Sequence, residues 1–183
     1  MHILAVAGSL RAASINAAFC RAASRLAPAD APIAVYDGLG ELPLFNPDRE
    51  TDAPAPVRRW WRAVGDADAL LIASPEYAHG VSGVMKNALD WLVGQESFVG
   101  KPVALVNTSP RAHHAHDALL EILRTMSADV VEGASSSVAL LGVCTGEAEI
   151  LASAPVCAGI RQVVASVRAH LLDPRAPAPR MGL

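Results

Sequence analysis

Three short stretches of this chain hold residues that could do chemistry. The first reads Gly8-Ser9-Leu10-Arg11-Ala12-Ala13-Ser14-Ile15-Asn16. Ser9 and Ser14 offer hydroxyls, Asn16 an amide and Arg11 a fixed positive fork. Those groups suit a phosphate monoester, which needs several donors around its oxygens. The plainer alternative is a capped helix after a glycine turn, with Arg11 solvated. The second stretch runs Ser74-Pro75-Glu76-Tyr77-Ala78-His79-Gly80-Val81-Ser82-Gly83, then Val84-Met85-Lys86-Asn87-Ala88-Leu89-Asp90-Trp91. The third is Asn107-Thr108-Ser109-Pro110-Arg111-Ala112-His113-His114-Ala115-His116-Asp117.

Several familiar chemistries do not fit these residues. The turn after Gly8 lacks the further glycines of a dinucleotide fingerprint, and Gly38-Leu39-Gly40 lacks a third glycine and an adjoining helix. No Walker sequence is present. Cys20 with Arg25 falls inside a helical pattern, where a phosphatase loop would need the pair around a strand-to-helix turn. His113, His114 and His116 have no carboxylate or cysteine cluster nearby to complete a metal site, so no metal is expected. Ser109, a histidine and Asp117 share one short loop, which rarely holds a hydrolytic triad in its geometry. The three tryptophans lie at core spacing, so packing is their expected role. Cys20, Cys144 and Cys157 read as buried small hydrophobes.

The elements that must position these stretches alternate along the chain. Apolar runs at 2–7, 32–36, 69–73, 103–107 and 137–141 read as strands. Between them lie helical patterns: Phe19, Ala22, Ala23 and Leu26 behind an N-cap at Ser14; Val57, Trp60, Trp61 and Val64; Val84, Ala88 and Leu92 within 84–93; Leu119, Leu123 and Met126. A last helix carries Val156, Ile160, Val163, Val164, Val167 and Leu171, with Ser153 and Pro155 in its first turn. Residues 38–53 read as a loop. Strict βα alternation argues for one open parallel sheet with helices on both faces. Ligands of such sheets sit beyond the carboxyl ends of the strands, at the switch point, and all three stretches fall there. A helix N-terminus after Ser14 adds unpaired N–H groups and a favourable dipole for an anion.

Taken together, Gly-Ser-x-Arg-x-x-Ser-x-Asn at 8–16, Pro-Glu-Tyr at 75–77 and Lys-Asn-x-x-Asp-Trp at 86–91 resemble the NADPH-dependent FMN reductase family. That family contains flavin, quinone, azo-dye and chromate reductases, and the resemblance covers about residues 1–172. It implies a flavodoxin-like three-layer α/β sandwich with a five-stranded parallel sheet. It implies FMN as cofactor, with NADPH or NADH as co-substrate and a small-molecule electron acceptor. It implies that Ser9, Arg11, Ser14 and Asn16 hold the FMN phosphate, with Ile15 beside them in the cofactor site, and that Pro75, Glu76 and Tyr77, with the backbone of Ala78, His79 and Gly80, lie along the flavin ring. Gly80 and Gly83 would let main chain approach that ring closely. Thr108, Ser109 and Arg111 would face its pyrimidine edge. No side chain is an obligatory acid or base, because the flavin carries the chemistry. A homodimer or homotetramer is implied, with Lys86, Asn87 and Asp90 on a helix that supports the flavin loop. The sequence departs from the commoner pattern at Ala78, where asparagine usually follows the tyrosine, and at Gly83, where proline is frequent. The alternative is a flavodoxin-like electron-transfer or FMN-binding module without nicotinamide turnover.

Composition agrees with that class. A chain of 183 residues with 52% hydrophobic and 18% charged residues can bury one core. The net charge of −3 argues against nucleic acid or an anionic membrane as partner, and against a strongly acidic docking face. An odd cysteine count without C-x-x-C spacing suits a reducing compartment, and the short apolar start is no membrane span, so a cytoplasmic protein is expected. One domain over 1–172 and a poorly ordered Pro-rich tail over 173–183 complete the expectation.

Overall fold

The computed structural model describes residues 1–109, 113–135, 138–140, 144 and 146–173. The elements run β1 (Ile3–Ala7), α1 (Ile15–Leu26), β2 (Ile33–Tyr36), α2 (Ala55–Gly65), β3 (Ala69–Ala73), β4 (Glu76–Tyr77), β5 (Gly80–Val81), α3 (Gly83–Asp90), β6 (Pro102–Val106), α4 (His113–Thr125), β7 (Asp129–Val130), α5 (Glu147–Ala152) and α6 (Ala154–Leu172). β2, β1, β3, β6 and β7 form one sheet in that order, and every pairing is parallel. β4 and β5 make a separate antiparallel hairpin.

The sheet separates two apolar layers because strand side chains alternate between faces. Ile3, Ala5, Ala69, Leu71, Ala73, Ala104 and Val106 point to the side covered by α1, α5 and α6. Leu4, Val6, Leu70, Ile72, Val103 and Leu105 point to the side covered by α2, α3 and α4. The first face is built largely of alanine where Phe19 of α1 packs fully buried, so a bulky side chain meets a shallow sheet surface. Trp60 and Trp91 are buried in the second layer, as their spacing predicts. Their indole N–H groups donate to the carbonyls of Ala88 at 2.9 Å and Pro43 at 2.8 Å, which satisfies the polar end of each ring. Trp61 is only partly buried and donates to the Trp91 carbonyl.

The fifth strand corrects the expectation of 137–141. The ladder with β6 is made by Asp129 and Val130, opposite Pro102 and Val103. Beyond Val131 the chain leaves the ladder, and the Ser135 hydroxyl accepts the Leu105 N–H at 3.2 Å that a strand carbonyl would otherwise take. The main chain then returns: Val138 N–H donates to the Asn107 carbonyl at 2.9 Å and Leu140 N–H to the Thr108 carbonyl at 3.1 Å. The expected run therefore does lie beside the third loop, as an extension of an interrupted strand. Ser137 and Leu141 fall outside the described residues, as does most of the expected tail. α3 ends at Asp90, short of the expected 93, because Leu92 and Val93 close turns onto Leu89 and Asp90. α5 and the β4–β5 hairpin have no counterpart in the sequence reading. No helix among the described residues is long and apolar enough to cross a membrane.

Candidate flavin-binding site

The sheet order puts β1 between β2 and β3, so the chain turns one way after β1 and the other way after β2. A cleft opens where the loops diverge, at the switch point. It has a volume of about 310 Å³ and is lined by the loops after β1, β3 and β6.

The floor is built from the β1 loop. Ser14 caps α1, its Oγ accepting the Ala17 N–H at 3.2 Å, as the sequence predicts. Ser9 Oγ accepts the Arg11 N–H at 3.4 Å, a long contact that folds the loop back over the helix start. Arg11 is exposed at the cleft wall and makes no ion pair with the described residues. Its positive charge and the α1 N-terminus therefore face the same space, which fits a dianionic phosphate.

Asn16 is 7% exposed and is tied elsewhere. Its Oδ1 accepts the Thr108 hydroxyl at 2.8 Å, so this buried pair rivets the β1 loop to the β6 loop. Its side-chain amide nitrogen is left to donate to a ligand. Ser109 is held in the same turn, its N–H donating to Asn107 Oδ1 at 2.9 Å.

The remaining wall is the segment after β3. Ser74, Pro75, Glu76 and Tyr77 line the cleft, with Tyr77 56% exposed and available as an aromatic surface. Glu76 turns its carboxylate away to accept the Ala115 N–H at 2.8 Å, capping the first turn of α4. That hydrogen bond ties one oxygen of the carboxylate to α4. Ala78, His79 and Gly80 do not line the cleft. Ala78 and His79 are the two central residues of the β4–β5 turn, with φ of 50° and 59°. A Cβ added at Gly80 would meet its nearest neighbour at 3.6 Å, and one at Gly83 would meet nothing within 4 Å. Neither glycine is required by the protein's own packing.

The glycine that is required is Gly8. A Cβ there would lie 2.3 Å from Ser74 Oγ and 2.8 Å from Ser74 Cβ, so the β1 and β3 loops can meet only because position 8 has no side chain. Ser74, absent from the expected site, is part of it. Its signal was positional, since it is the first residue after β3 as Gly8 is after β1. Ala13 lines the cleft as well. Arg111 lies outside the described residues.

On the β4–β5 turn and the start of α4, three imidazoles stand in a row. His79 stacks on His114 with ring centroids 4.3 Å apart and planes at 28°, and His114 meets His113 at 4.0 Å. His79 is thus engaged with α4 across the hairpin. Lys86 pairs with Asp90 at 2.5 Å, the i, i+4 contact expected of α3. Asn87 accepts the Phe45 N–H at 2.8 Å and donates to the Pro43 carbonyl at 3.0 Å, fixing the long loop against α3.

A hydroxyl-lined helix start, the Arg11 guanidinium and an adjacent aromatic wall line one cleft, and the family of the chain can be read from comparison. The model of NADPH-dependent FMN reductases matches residues 1–140. The chain belongs to that family. Among curated relatives, a 2-hydroxy-1,4-benzoquinone reductase of Burkholderia sp is 42% identical over 112 residues, covering 60% of this chain and 61% of that protein. An NAD(P)H-dependent FMN reductase of Pseudomonas aeruginosa is 39% identical, covering 60% of each. The chain thus matches somewhat under two thirds of the length of these relatives. Among solved structures, the flavoenzyme NAD(P)H:(acceptor) oxidoreductase FerB from Paracoccus denitrificans superposes with a TM-score of 0.70 at 25% identity, covering 92% of this chain and 98% of that one. For this family member the fold is flavodoxin-like, and the motifs at 8–16 and 75–77 converge on a single cleft.

Proposed function

We propose that this protein is an FMN-dependent NAD(P)H oxidoreductase that passes electrons from a nicotinamide to a quinone, flavin, azo compound or similar small acceptor. The observation that carries the reading is the cleft itself: Arg11, with no ion pair among the described residues, beside the capped start of α1, and an aromatic wall at Tyr77 one loop away. Family membership and the activities for which its relatives are named support the same chemistry.

When bound, FMN supplies a ring that accepts hydride and returns electrons to a second substrate. The chain's own residues bind and orient it. Ser9, Arg11, Ser14 and the first-turn N–H groups of α1 would take the phosphate. Thr108 and Asn16 hold the two loops at a fixed separation, so phosphate end and ring end are positioned together. Pro75 through Tyr77 would flank the ring, with Glu76 anchored to the first turn of α4. Arg111 is proposed at the pyrimidine edge, on sequence grounds alone. The row of His79, His114 and His113 lies on the hairpin that follows Tyr77 and on the start of α4, and would bear on which acceptors enter. An assembly of two or four copies is part of the proposal, on family resemblance, and so is a cytoplasmic setting.

Steady-state kinetics test the reading. With NADH or NADPH varied against a quinone, double-reciprocal plots should be parallel, since both substrates use one open face in turn. Intersecting lines would show that donor and acceptor occupy separate places at once.

A further inference from the structure

The end of α1 remote from the flavin cleft borders another cavity. It measures about 280 Å³ and lies against α6, lined by Leu26, Pro28, Arg161, Val164, Ala165 and Arg168. α1 is 12 residues long, so about 18 Å of helix separates this cavity from the capped N-terminus that faces the cleft. Leu26 and Val164 belong to the first core layer, and with Pro28 and Ala165 they make the floor apolar. Arg161 and Ala165 stand exposed at its rim.

The charged part of the lining consists of two guanidiniums. Arg161, Val164, Ala165 and Arg168 fall at i, i+3, i+4 and i+7, one stripe of α6. That spacing sets the two arginines about 10 Å apart along the helix, within reach of one ligand between them. Arg168 pairs with Asp30, yet its Nε is buried and has no hydrogen-bond partner among the described residues. A buried guanidinium N–H left unpaired is costly, and an acceptor oxygen in the cavity would relieve that cost. Arg161 makes no ion pair with the described residues.

The charges here sum to a definite sign. Arg161 and Arg168 against Asp30 leave one positive charge in excess. Arg25, in the last turn of α1, shares the Glu147 carboxylate with Arg21, which leaves a second. No carboxylate lines the cavity among the described residues. An apolar floor beside unneutralised guanidiniums fits an anion with a hydrocarbon body. At the liquid volume of water the cavity of 280 Å³ holds about nine molecules, which sets the ligand at roughly ten non-hydrogen atoms.

We propose that this cavity binds a small amphipathic carboxylate, its head taken by Arg161 and the Arg168 Nε and its hydrocarbon body laid against Leu26, Pro28 and Val164. The site is separate from the flavin cleft and independent of the reaction performed there.

Octanoate, a carboxylate of that size, is the probe, titrated by calorimetry into FMN-loaded protein so that the first cleft is already filled. It should bind saturably, at a single equivalent per chain, with the flavin spectrum unchanged. Octylamine, the same kind of chain with the opposite charge, should give no saturable heat. Arg161→Gln should weaken octanoate roughly tenfold or more, the loss of one hydrogen bond to a charged group. Ala165→Trp, a change at the exposed rim that fills the mouth, should abolish octanoate binding and leave FMN content at the wild-type level. Octanoate binding that neither variant alters, or octylamine binding of equal strength, overturns the proposal. Binding seen only before FMN is added overturns it too, by placing the carboxylate in the first cleft. So does the lack of any saturable octanoate binding; retention on phosphatidylglycerol vesicles in its place would assign the arginines to an anionic surface instead.

Discussion

At the scale of single residues, two positions decide whether the cleft can hold a phosphate. Arg11 should contribute a charge-assisted contact of about 1.5–3 kcal/mol, so Arg11→Ala should weaken FMN binding roughly 10- to 150-fold. Riboflavin binding should hardly change, because the lost partner is the phosphate. Paired titrations of wild type and mutant check this, and parallel losses for both ligands would mean that Arg11 only shapes the loop. Gly8 acts through space. Gly8→Ala drives a methyl group into Ser74, so it should lower stability and FMN affinity together. Adding Ser74→Gly removes both colliding atoms and should restore much of each. A double mutant no better than the single one would place the cost elsewhere. Arg11, Ser14 and Tyr77 were legible in the sequence as types at a spacing. The Asn16–Thr108 rivet was not, because it joins residues far apart in the chain through a contact that only the sheet order creates.

The secondary elements that surround the site show where local signals suffice and where they fail. α1, α2, α4 and α6 were readable because each carries an apolar stripe at helical period, and their expected core residues are mostly buried. β7 was not, since a serine hydroxyl replaces a ladder partner and splits the strand around a turn. The β4–β5 hairpin was hidden for a different reason. Its turn has positive φ at both central residues, yet it uses Ala78 and His79 where Asn-Gly is favoured. Left-handed backbone at an alanine costs about 1–2 kcal/mol. The stack of His79 on His114 and the cap from Glu76 to α4 hold the hairpin in place against that cost. Ala78→Gly should accordingly raise stability by about 1 kcal/mol in urea unfolding, the strain relieved less the added chain entropy. A loss of stability would show that the turn is not strained at Ala78.

Over the whole molecule, burial makes stability depend on pH in the alkaline range. The Cys20 thiol is enclosed between α1 and the sheet, and burial pushes its pKa up to about 12 from an ordinary 9.0, with Arg21 opposing the shift. Below pH 9.0 folded and unfolded chains both keep the proton, so nothing is lost. Between 9.0 and about 12 the unfolded chain releases it first, and stability falls as pH rises. Burial raises Tyr36 in the same direction, while it lowers Lys101, which opposes the trend. Cys20→Ala should flatten the decline measured by urea midpoints across that range; an unchanged slope would assign it to other groups. The same two-layer core holds the three loops at one edge, where they would hold FMN for exchange with a nicotinamide. The direct measurement is anaerobic mixing of FMN-loaded protein with NADH or NADPH, followed by a quinone, while the visible flavin absorbance is recorded. The account predicts bleaching by at least one nucleotide within the time of a steady-state turnover, and full recovery of colour when the quinone is added. A bound flavin that neither nucleotide bleaches, yet a protein electron donor reduces, would contradict it and make the protein an electron carrier.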